Sequence, residues 1–469
     1  MRGEECRLRI VLLGGGSGKR LWPLSNEVRS KIFLKVLKAG DGGKESMIQR
    51  LCRQLDEAGL LASTAIVAHR NQAEIVQNHV GGSIPFIAET YRRGTYTAIA
   101  LAASYLHTKL KADREEVVCV LPADLFVDNA FFDVLRKLPE VLAESGARLA
   151  LLGSTPNHPS SQFGYIVPDQ ACGGPATGYQ PIARFVEKPN ADDARLLISS
   201  HAMWNCGAYA FSLAFMLSHL KDRGLPEAYD ELAASCEQLP EASFDVEISE
   251  NTRPSVVIPY DGLWRDLGDW SVLPDYVDQQ VIGRGEISSD SSHTHIVNEL
   301  ALPIHVIGAS NLIVAASADG ILVASKDKSN QIKAIRSSSP KPRYEEKRWG
   351  SYRILDHSAS DTQSETLTKK VNLLPGKHTS YHAHQRRKEI WTIIAGTGEF
   401  VLDAVKTGFQ TGDILQIPVG AGHAVKAISQ VEYLVIQIGT ELLEEDSIRL
   451  AMDWQEILRL CGRGSRPTE

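Results

Sequence analysis

Over the first 280 residues, short apolar runs alternate with stretches of helical period. Leu8-Arg9-Ile10-Val11-Leu12-Leu13, Ala65-Ile66-Val67-Ala68 and Val117-Val118-Cys119-Val120-Leu121 are near-continuous and rich in branched side chains, which predicts strands buried on both faces. Between them, Thr97 to Leu110 carries an alanine-rich apolar face at helical spacing. Strands alternating with helices predict an α/β fold with a mostly parallel sheet covered on both sides. Ligands of such sheets gather at the carboxyl ends of the strands. Gly14-Gly15-Gly16 and Pro122-Ala123-Asp124 each follow a predicted strand directly, so they are expected to share one crevice.

From about Ile287 to Ile335 the texture changes to short apolar runs with little helical signal: His295-Ile296-Val297, Ile304-His305-Val306-Ile307, Leu312-Ile313-Val314 and Ile321-Leu322-Val323. Rungs of a small β-solenoid and the edge of a sandwich both fit this spacing. Ser337-Ser338-Ser339-Pro340-Lys341-Pro342 reads as a linker. Beyond it, β-runs broken by glycine turns from Trp349 to Ile438 predict an all-β barrel. Leu450, Trp454, Ile457, Leu458 and Cys461 then fall on one face of a predicted terminal helix, which is expected to pack on the barrel or on a partner subunit.

The length of 469 residues allows two or three domains. A net charge of −7 excludes a general nucleic-acid binder, although a local basic pocket remains compatible with it. The seven cysteines (Cys6, Cys52, Cys119, Cys172, Cys206, Cys236 and Cys461) are scattered without a CxxC pair, which points to reduced thiols in a cytoplasmic protein. The amino terminus does not read as a signal peptide, and no apolar stretch approaches the ~20 residues that cross a bilayer. A soluble protein with no membrane partner is therefore expected.

Leu13-Gly14-Gly15-Gly16-Ser17-Gly18-Lys19-Arg20-Leu21-Trp22-Pro23-Leu24 carries the strongest chemistry. Glycines after a strand let backbone N–H groups approach phosphates, and Lys19, Arg20 and Lys31 supply positive charge nearby. The run fits neither a P-loop nor GxGxxG. It resembles the signature GGxGxRLWPLS of the sugar-nucleotide pyrophosphorylases, specifically the mannose-1-phosphate guanylyltransferases, from Gly15 through Ser25. Lys31 stands where the signature lysine falls. The resemblance continues in order through Leu121-Pro122-Ala123-Asp124, Phe163-Gly164-Tyr165-Ile166 and Phe185-Val186-Glu187-Lys188-Pro189. It ends with Trp204-Asn205-Cys206-Gly207, Ser243-Phe244-Asp245 and Trp264-Arg265-Asp266-Leu267-Gly268. The chain departs from the family pattern in three places: Ser30 replaces a proline, Arg93-Gly94-Thr95-Tyr96-Thr97-Ala98 replaces Arg-Asn-Thr-Ala-Pro-Ala, and Leu125 replaces a histidine.

The resemblance implies a sugar 1-phosphate attacking the α-phosphorus of a nucleoside triphosphate and expelling pyrophosphate, with positioning and charge neutralisation supplying the catalysis. It implies that Gly14, Gly15, Gly16, Ser17, Gly18 and Lys19 bind the nucleotide, and that Arg20 and Lys31 hold its phosphates. It implies Asp124 and Asp266 as Mg²⁺ ligands, Glu187 on sugar hydroxyls and Lys188 on the sugar phosphate, with Gly164, Asn205 and Asp245 lining the sugar end. Trp22, Trp204, Trp264 and Trp270 read as packing residues.

In the barrel, Gly376, His382, His384, Glu389 and Gly396 fit G-x5-H-x-H-x4-E-x6-G, and Gly412, Pro418, Gly420 and His423 fit G-x5-P-x-G-x2-H. This resembles the cupin pattern, with Ala427 in place of a terminal asparagine. Two histidines at i and i+2 on a strand point to one face. With Glu389 and His423 from neighbouring strands they make a site for Mn, Fe, Ni or Zn, among which the ligand types do not choose. Lys347-Arg348-Trp349-Gly350 and Glu389-x-Trp391 resemble type II phosphomannose isomerases. The isomerase has glutamine at His382 and Arg-Ala-Glu-His at Arg387-Lys388-Glu389-Ile390, and its Asp-x-Tyr-Gly-Arg ending is missing after Asp446-Ser447-Ile448-Arg449. Arg449 and Lys388 are candidates for holding a phosphate.

The expected organisation is a Rossmann-like nucleotidyltransferase domain over 1–284, a β-solenoid-like segment over 285–336, a cupin barrel over 343–446 and a helix and tail over 447–469. Two alternatives stay open: the same chemistry on another hexose or heptose 1-phosphate, and a non-catalytic subunit that senses sugar nucleotides. The apolar helix face and the solenoid edge also allow a homo-oligomer.

Overall fold

The glycine cluster hangs from the carboxyl end of the first strand of a nine-stranded sheet in the computed structural model. The structure describes residues 7–16, 18, 20–169, 178–277, 279–335, 342–359, 364–440, 442 and 446–463. Ser17, Lys19, Cys6, Cys172 and most of the expected linker lie outside the described residues. Packing divides the chain into two units, one holding Met1–Leu21 with Ser30–Gln280, the other holding Trp22–Arg29 with Val281–Glu469.

The nine-stranded sheet of the first unit is built from β1 (Leu8–Leu13), β2 (Thr64–His69), β3 (Phe86–Glu89), β4 (Val117–Pro122), β5 (Leu149–Ser154), β6 (Tyr165–Pro168), β7 (Gln180–Val186), β8 (Met203–Ser212) and β9 (Ser255–Tyr260). Their order is β3-β2-β1-β4-β8-β5-β9-β7-β6. The expected parallel arrangement holds from β3 to β4 and again between β5 and β9. Beyond β4 the sheet is mixed, because β8 enters antiparallel to both β4 and β5, and β7 runs antiparallel to β9 and β6. The apolar runs are buried as their composition requires: Ile10, Val11, Leu12, Cys119, Val120 and Leu121 are inaccessible to solvent. Helix α1 (Gly94–Thr108) begins three residues earlier than its apolar pattern suggests, at Gly94, whose φ of +84° opens the turn into it.

In the second unit, strands alternate between two parallel stacks. Val281–Ile282, His295–Asn298 and Leu312–Ser317 form one, and Gly285–Ile287 with Ile304–Val306 form the other. Gly320–Ser325 then turns back antiparallel on Leu312–Ser317. The barrel that follows has a six-stranded sheet, which includes Tyr344–Lys347, Arg387–Ala395 and Val431–Gly439, and a five-stranded sheet, which includes Tyr381–His384, His423–Ala427 and Ser447–Ala451. The expected helix and tail over 447–469 is corrected at its start. Residues Ser447–Ala451 are a strand paired with Tyr381–His384, which leaves Leu450 half exposed rather than on a helix face. The helix, α2, begins at Trp454, where the Asp453 carboxylate accepts from the amides of Gln455 and Glu456. Trp454 and Ile457 pack against Tyr381, Val401 and Ala424 of the barrel.

Candidate functional site

Strands β1 and β4 are paired in register from Leu8–Val117 to Leu13–Pro122, so the loops that leave their carboxyl ends start side by side. The Gly14 amide donates to the Val67 carbonyl at 2.7 Å, and the Ala123 amide to the Leu13 carbonyl at 3.0 Å. A side chain at Gly14 would lie 3.2 Å from Ala68 Cβ and 3.3 Å from the Val67 carbonyl, so the first glycine serves the close passage of the loop over β2.

Asp124 follows β4. Asp266 ends a short strand, Trp264–Asp266, that pairs with Leu125–Val127. Leu125, at the family's histidine position, is a buried member of that ladder facing Asp266. The Lys31 ammonium forms ion pairs with both carboxylates, touching Asp124 Oδ2 and lying 3.2 Å from Asp266 Oδ1. Arg20 Nη1 stands 3.8 Å from the other oxygen of Asp266. Burial opposes the charge on Lys31, but Asp124 and Asp266 outweigh it and raise its pKa above the ordinary lysine value. Burial likewise pushes Asp124 upward, and Lys31 overcomes it to hold the carboxyl below its usual range. Ser30, at the proline position, accepts a hydrogen bond from Gln72 Nε2 at 3.2 Å. The four residues expected to act on the phosphates therefore meet in one cluster.

A second cluster gathers the expected sugar residues. The Asn205 amide donates to the Gly164 carbonyl at 2.8 Å, and Asn205 Nδ2 donates to Asp245 Oδ1 at 3.0 Å. A side chain at Gly164 would come within 2.7 Å of Glu187 Oε2, so this glycine makes room for the glutamate. Lys188, with φ of +43°, pairs with Glu187 and remains largely exposed. Tyr209, which no sequence motif singles out, donates its hydroxyl to Asp245 Oδ1 at 2.6 Å. Burial, with the Glu187 charge beside it, raises the Asp245 carboxyl to about 6. Trp204, Trp264 and Trp270 are buried packing residues, and Phe163 lies against the first two.

The crevice also contains a residue that sequence reasoning missed. Leu13, Gly15, Gly16, Val67, Glu89, Arg92, Gly94, Thr95, Ala98 and Glu241 line a cavity beside the glycine loop. Glu89 ends β3 and is only 4% exposed. Burial raises its carboxyl to about 7, with Arg92 pulling the other way. The signal available in the sequence was a lone acid closing the apolar run Phe86-Ile87-Ala88 at the carboxyl end of a strand. Gly94, the departure from the family's asparagine, is required here, because any side chain would lie 2.2 Å from the Ala242 carbonyl.

In the barrel, the ligand-capable nitrogens of His382, His384 and His423 lie within 4.8 Å of one another. His382 and His423 are directly paired across adjacent strands. Glu389 arrives from the six-stranded sheet rather than from a strand neighbouring the histidines, with Oε1 3.2 Å from His384 Nε2 and Oε2 3.9 Å from His423 Nε2. The Nδ1 atoms of His382 and His423 face the carbonyls of Ser380 (2.8 Å) and Ala421 (3.1 Å), which places the proton on Nδ1 and leaves Nε2 as a lone-pair donor. His423 Nε2 is buried without a hydrogen-bond partner, as a ligand atom aimed at a cation would be. Burial and the neighbouring imidazoles lower His382 to about 3, so it stays neutral and ready to coordinate. Burial would raise Glu389, but its hydrogen bonds with His384 and Trp391 and the imidazoles of His423 and His384 beside it hold it well below the carboxylate range. The residues fit a divalent metal of the kinds expected.

No helix among the described residues is long and apolar enough to cross a membrane. Residues 9–280 match the nucleotidyl transferase family, and residues 369–437 match the cupin domain family. The chain is 30% identical to a mannose-1-phosphate guanylyltransferase of Salmonella muenchen, over 95% of this chain and 98% of that one. It is 29% identical to a putative mannose-1-phosphate guanylyltransferase of Vibrio cholerae, over 94% and 98%. Among solved structures it is similar to a Thermus thermophilus protein described as a mannose-1-phosphate geranyltransferase, with 26% identity, a TM-score of 0.59, and coverage of 70% of this chain and 98% of that one.

Proposed function

The chain belongs to the mannose-1-phosphate guanylyltransferase family of nucleotidyl transferases, and on that premise we propose that it joins mannose 1-phosphate to GTP, giving GDP-mannose and pyrophosphate. The observation that carries this reading is the meeting of Lys31 with Asp124 and Asp266, with Arg20 alongside, at the strand ends that bear the glycine loop. A phosphate oxygen of the sugar attacks the α-phosphorus, a new P–O bond forms, and the bond to the β-phosphate breaks as pyrophosphate leaves. Arg20 and Lys31 hold the triphosphate and neutralise the charge that develops on the departing oxygens. Asp245 and Asn205, fixed by Tyr209, accept and donate hydrogen bonds to the sugar hydroxyls beside Glu187, and Lys188 approaches the sugar phosphate from the exposed side.

Asp124 and Asp266 converge on a single ammonium group, so their carboxylates suit one shared cation. They are the residues that would hold Mg²⁺, which when bound neutralises phosphate charge. Glu89 supports guanine as the base. Its ionised carboxylate accepts from both N1–H and the exocyclic amine of guanine, whereas adenine has no N1–H to offer. GTP and the sugar phosphate are metabolites of the cytoplasm, where this reading places the enzyme.

For the barrel, the oriented imidazoles favour a second reading, a metal-bearing site that interconverts mannose 6-phosphate and fructose 6-phosphate. The test incubates the full-length protein and Mg²⁺ with each pairing of sugar 1-phosphate and nucleoside triphosphate, and measures pyrophosphate release. A parallel arm follows conversion of mannose 6-phosphate. Release with mannose 1-phosphate and GTP alone supports the first reading, and release with another pair reassigns the substrate. Silence with every pair removes the transferase reading. An unchanged mannose 6-phosphate pool removes the second.

A further inference from the structure

Within the first unit, two segments far apart in the sequence are tied together, and between them they reach both the cavity beside the glycine loop and the sugar end. One is the first turn of α1, where Gly94 and Thr95 line the cavity. The other starts at Glu241, a further lining residue, and runs to Asp245, which meets Asn205 and Tyr209. Backbone hydrogen bonds join the two segments in both directions. The Ala242 amide donates to the Arg93 carbonyl at 3.0 Å, and the Tyr96 amide donates to the Ala242 carbonyl at 3.2 Å. So close an approach needs glycine at position 94, where any side chain would strike the Ala242 carbonyl.

One side-chain bond completes the tie. Thr95 Oγ1 accepts from the Phe244 amide at 2.8 Å, and Phe244 immediately precedes Asp245. Thr95 is open to the crevice, whereas Phe244 is fully buried. The Phe244 ring centre lies 4.9 Å from that of Tyr209 and 5.7 Å from that of Phe211. Tyr209 donates its hydroxyl to Asp245, so Phe244 bears on the support of that carboxylate as well as on its backbone. After Phe244, Asp245–Ser249 forms a π-helical turn, a rare conformation often found at functional sites. The Ser243 carbonyl accepts from the Glu247 amide at 3.1 Å, and its hydroxyl accepts from the Val246 amide at 3.2 Å. Arg223 pairs with Glu247 and lies 5.4 Å from the centre of the Tyr96 ring, which ties the turn to α1 a second time.

We propose that Thr95 is a positioning residue for the sugar phosphate: from the wall of the nucleotide cavity, it fixes Phe244 and thereby the direction of the Asp245 carboxylate. The inference rests on the reading of Asp245 as a ligand of the sugar hydroxyls. Tyr209 and Asn205 both donate to Asp245 Oδ1, so the carboxylate is aimed by these neighbours and by the backbone that carries it. Thr95 acts on the backbone. Its contribution is the acceptor Oγ1, which serine retains and valine lacks.

The test measures KM for each substrate in the full-length protein carrying Thr95→Val or Thr95→Ser, using GTP and mannose 1-phosphate, or the pair that the assay above identifies. Valine keeps the shape of threonine without the acceptor, and serine keeps the acceptor without the methyl group. Thr95→Ala removes the same acceptor with less bulk and serves if Thr95→Val fails to fold. The expected result is a rise of about fivefold or more in KM for the sugar phosphate in Thr95→Val, with Thr95→Ser within about twofold of the parent. Adding Thr95→Val to Asp245→Asn is expected to cost less in kcat/KM than the two losses multiplied, because both act through one carboxylate. A parent-like KM for the sugar phosphate in Thr95→Val, with or without a change for the triphosphate, overturns the proposal, since Thr95 would then be no more than a wall of the nucleotide cavity. A rise as large in Thr95→Ser as in Thr95→Val overturns it too. A parent-like KM for the sugar phosphate in Asp245→Asn would instead remove the reading on which it rests.

Discussion

Lys31 Nζ lies 3.2 Å from Asp266 Oδ1, across 235 residues of sequence, and the same ammonium contacts Asp124. With Arg20 alongside, two cations face two carboxylates, and on the proposed reading a triphosphate entering the cluster would compete for the lysine while offering oxygens to a metal held by the acids. Replacing Lys31 by methionine should lower the rate of pyrophosphate release by about 10²- to 10³-fold, the scale seen when one preorganised charge-stabilising donor is removed. Asp266→Asn should shift the Mg²⁺ concentration needed for half-maximal rate upward. Initial rates over a Mg²⁺ titration check both.

Gly268 keeps this cluster open. A methyl group there would lie 2.6 Å from Asp266 Oδ1 and 2.7 Å from Lys31 Nζ. Gly268→Ala is therefore expected to reduce kcat/KM by at least about tenfold. Because the displaced atoms are partly exposed side-chain ends, its melting temperature should stay close to the parent's. Kinetics paired with a thermal melt distinguish displacement of the site from loss of the fold.

Glu89 titrates near neutrality, at about 7, because burial favours its neutral form. Only the ionised carboxylate accepts both guanine hydrogens, so KM for GTP should fall as pH rises through about 7 and level off above it. The stability effect has the opposite sign. The folded state holds this proton more tightly than the unfolded chain, so stability is greatest below the ordinary glutamate range and is lost as pH rises toward 7. Glu89→Gln should flatten both profiles and weaken discrimination between GTP and ATP. Measuring kcat/KM for the two nucleotides between pH 6 and pH 8, with melts at the same values, tests both signs.

Tyr209 donates to Asp245 at 2.6 Å from within the core. Tyr209→Phe removes one hydrogen bond to a charged group, worth about 1.5–3 kcal/mol. KM for the sugar phosphate should rise by roughly tenfold or more on that scale, with KM for the triphosphate little changed. Equal movement of both constants would show that the tyrosine does no more than pack.

In the barrel, His382 is held neutral down to about 3, so a metal bound there should survive dialysis at pH 5, where an ordinary imidazole is mostly protonated. His423→Ala should abolish metal retention. Metal content measured by elemental analysis after dialysis at pH 7 and pH 5 checks the outcome and identifies the ion.

Much of this protein was written in local pattern. The apolar runs at Leu8–Leu13, Thr64–His69 and Val117–Pro122 are strands because buried parallel strands need apolar side chains on both faces. The alternation of His382 and His384 places both on one face because side chains along a strand repeat every two residues. The ordered motifs from Gly15 to Gly268 single out Arg20, Lys31, Asp124 and Asp266, and the structure brings these four together. These features depend on neighbours in sequence or on spacing that reaction chemistry imposes.

What tertiary structure alone decided concerns partners. Glu89 carried no motif, and only the seating of β3 beside β2 puts it into the crevice. Tyr209 reads as an ordinary core aromatic until Asp245 is brought against its hydroxyl. The mixed sheet beyond β4, the strand at Ser447–Ala451 and the arrival of Glu389 from the opposite sheet all follow from which strand pairs with which. The ion pairs of Arg29 need Glu299 and Glu346, hundreds of residues downstream. Periodicity records whether a side chain is buried. It does not record against what, because burial of apolar surface is non-directional, whereas a hydrogen bond or an ion pair exists only when two distant groups are placed within reach.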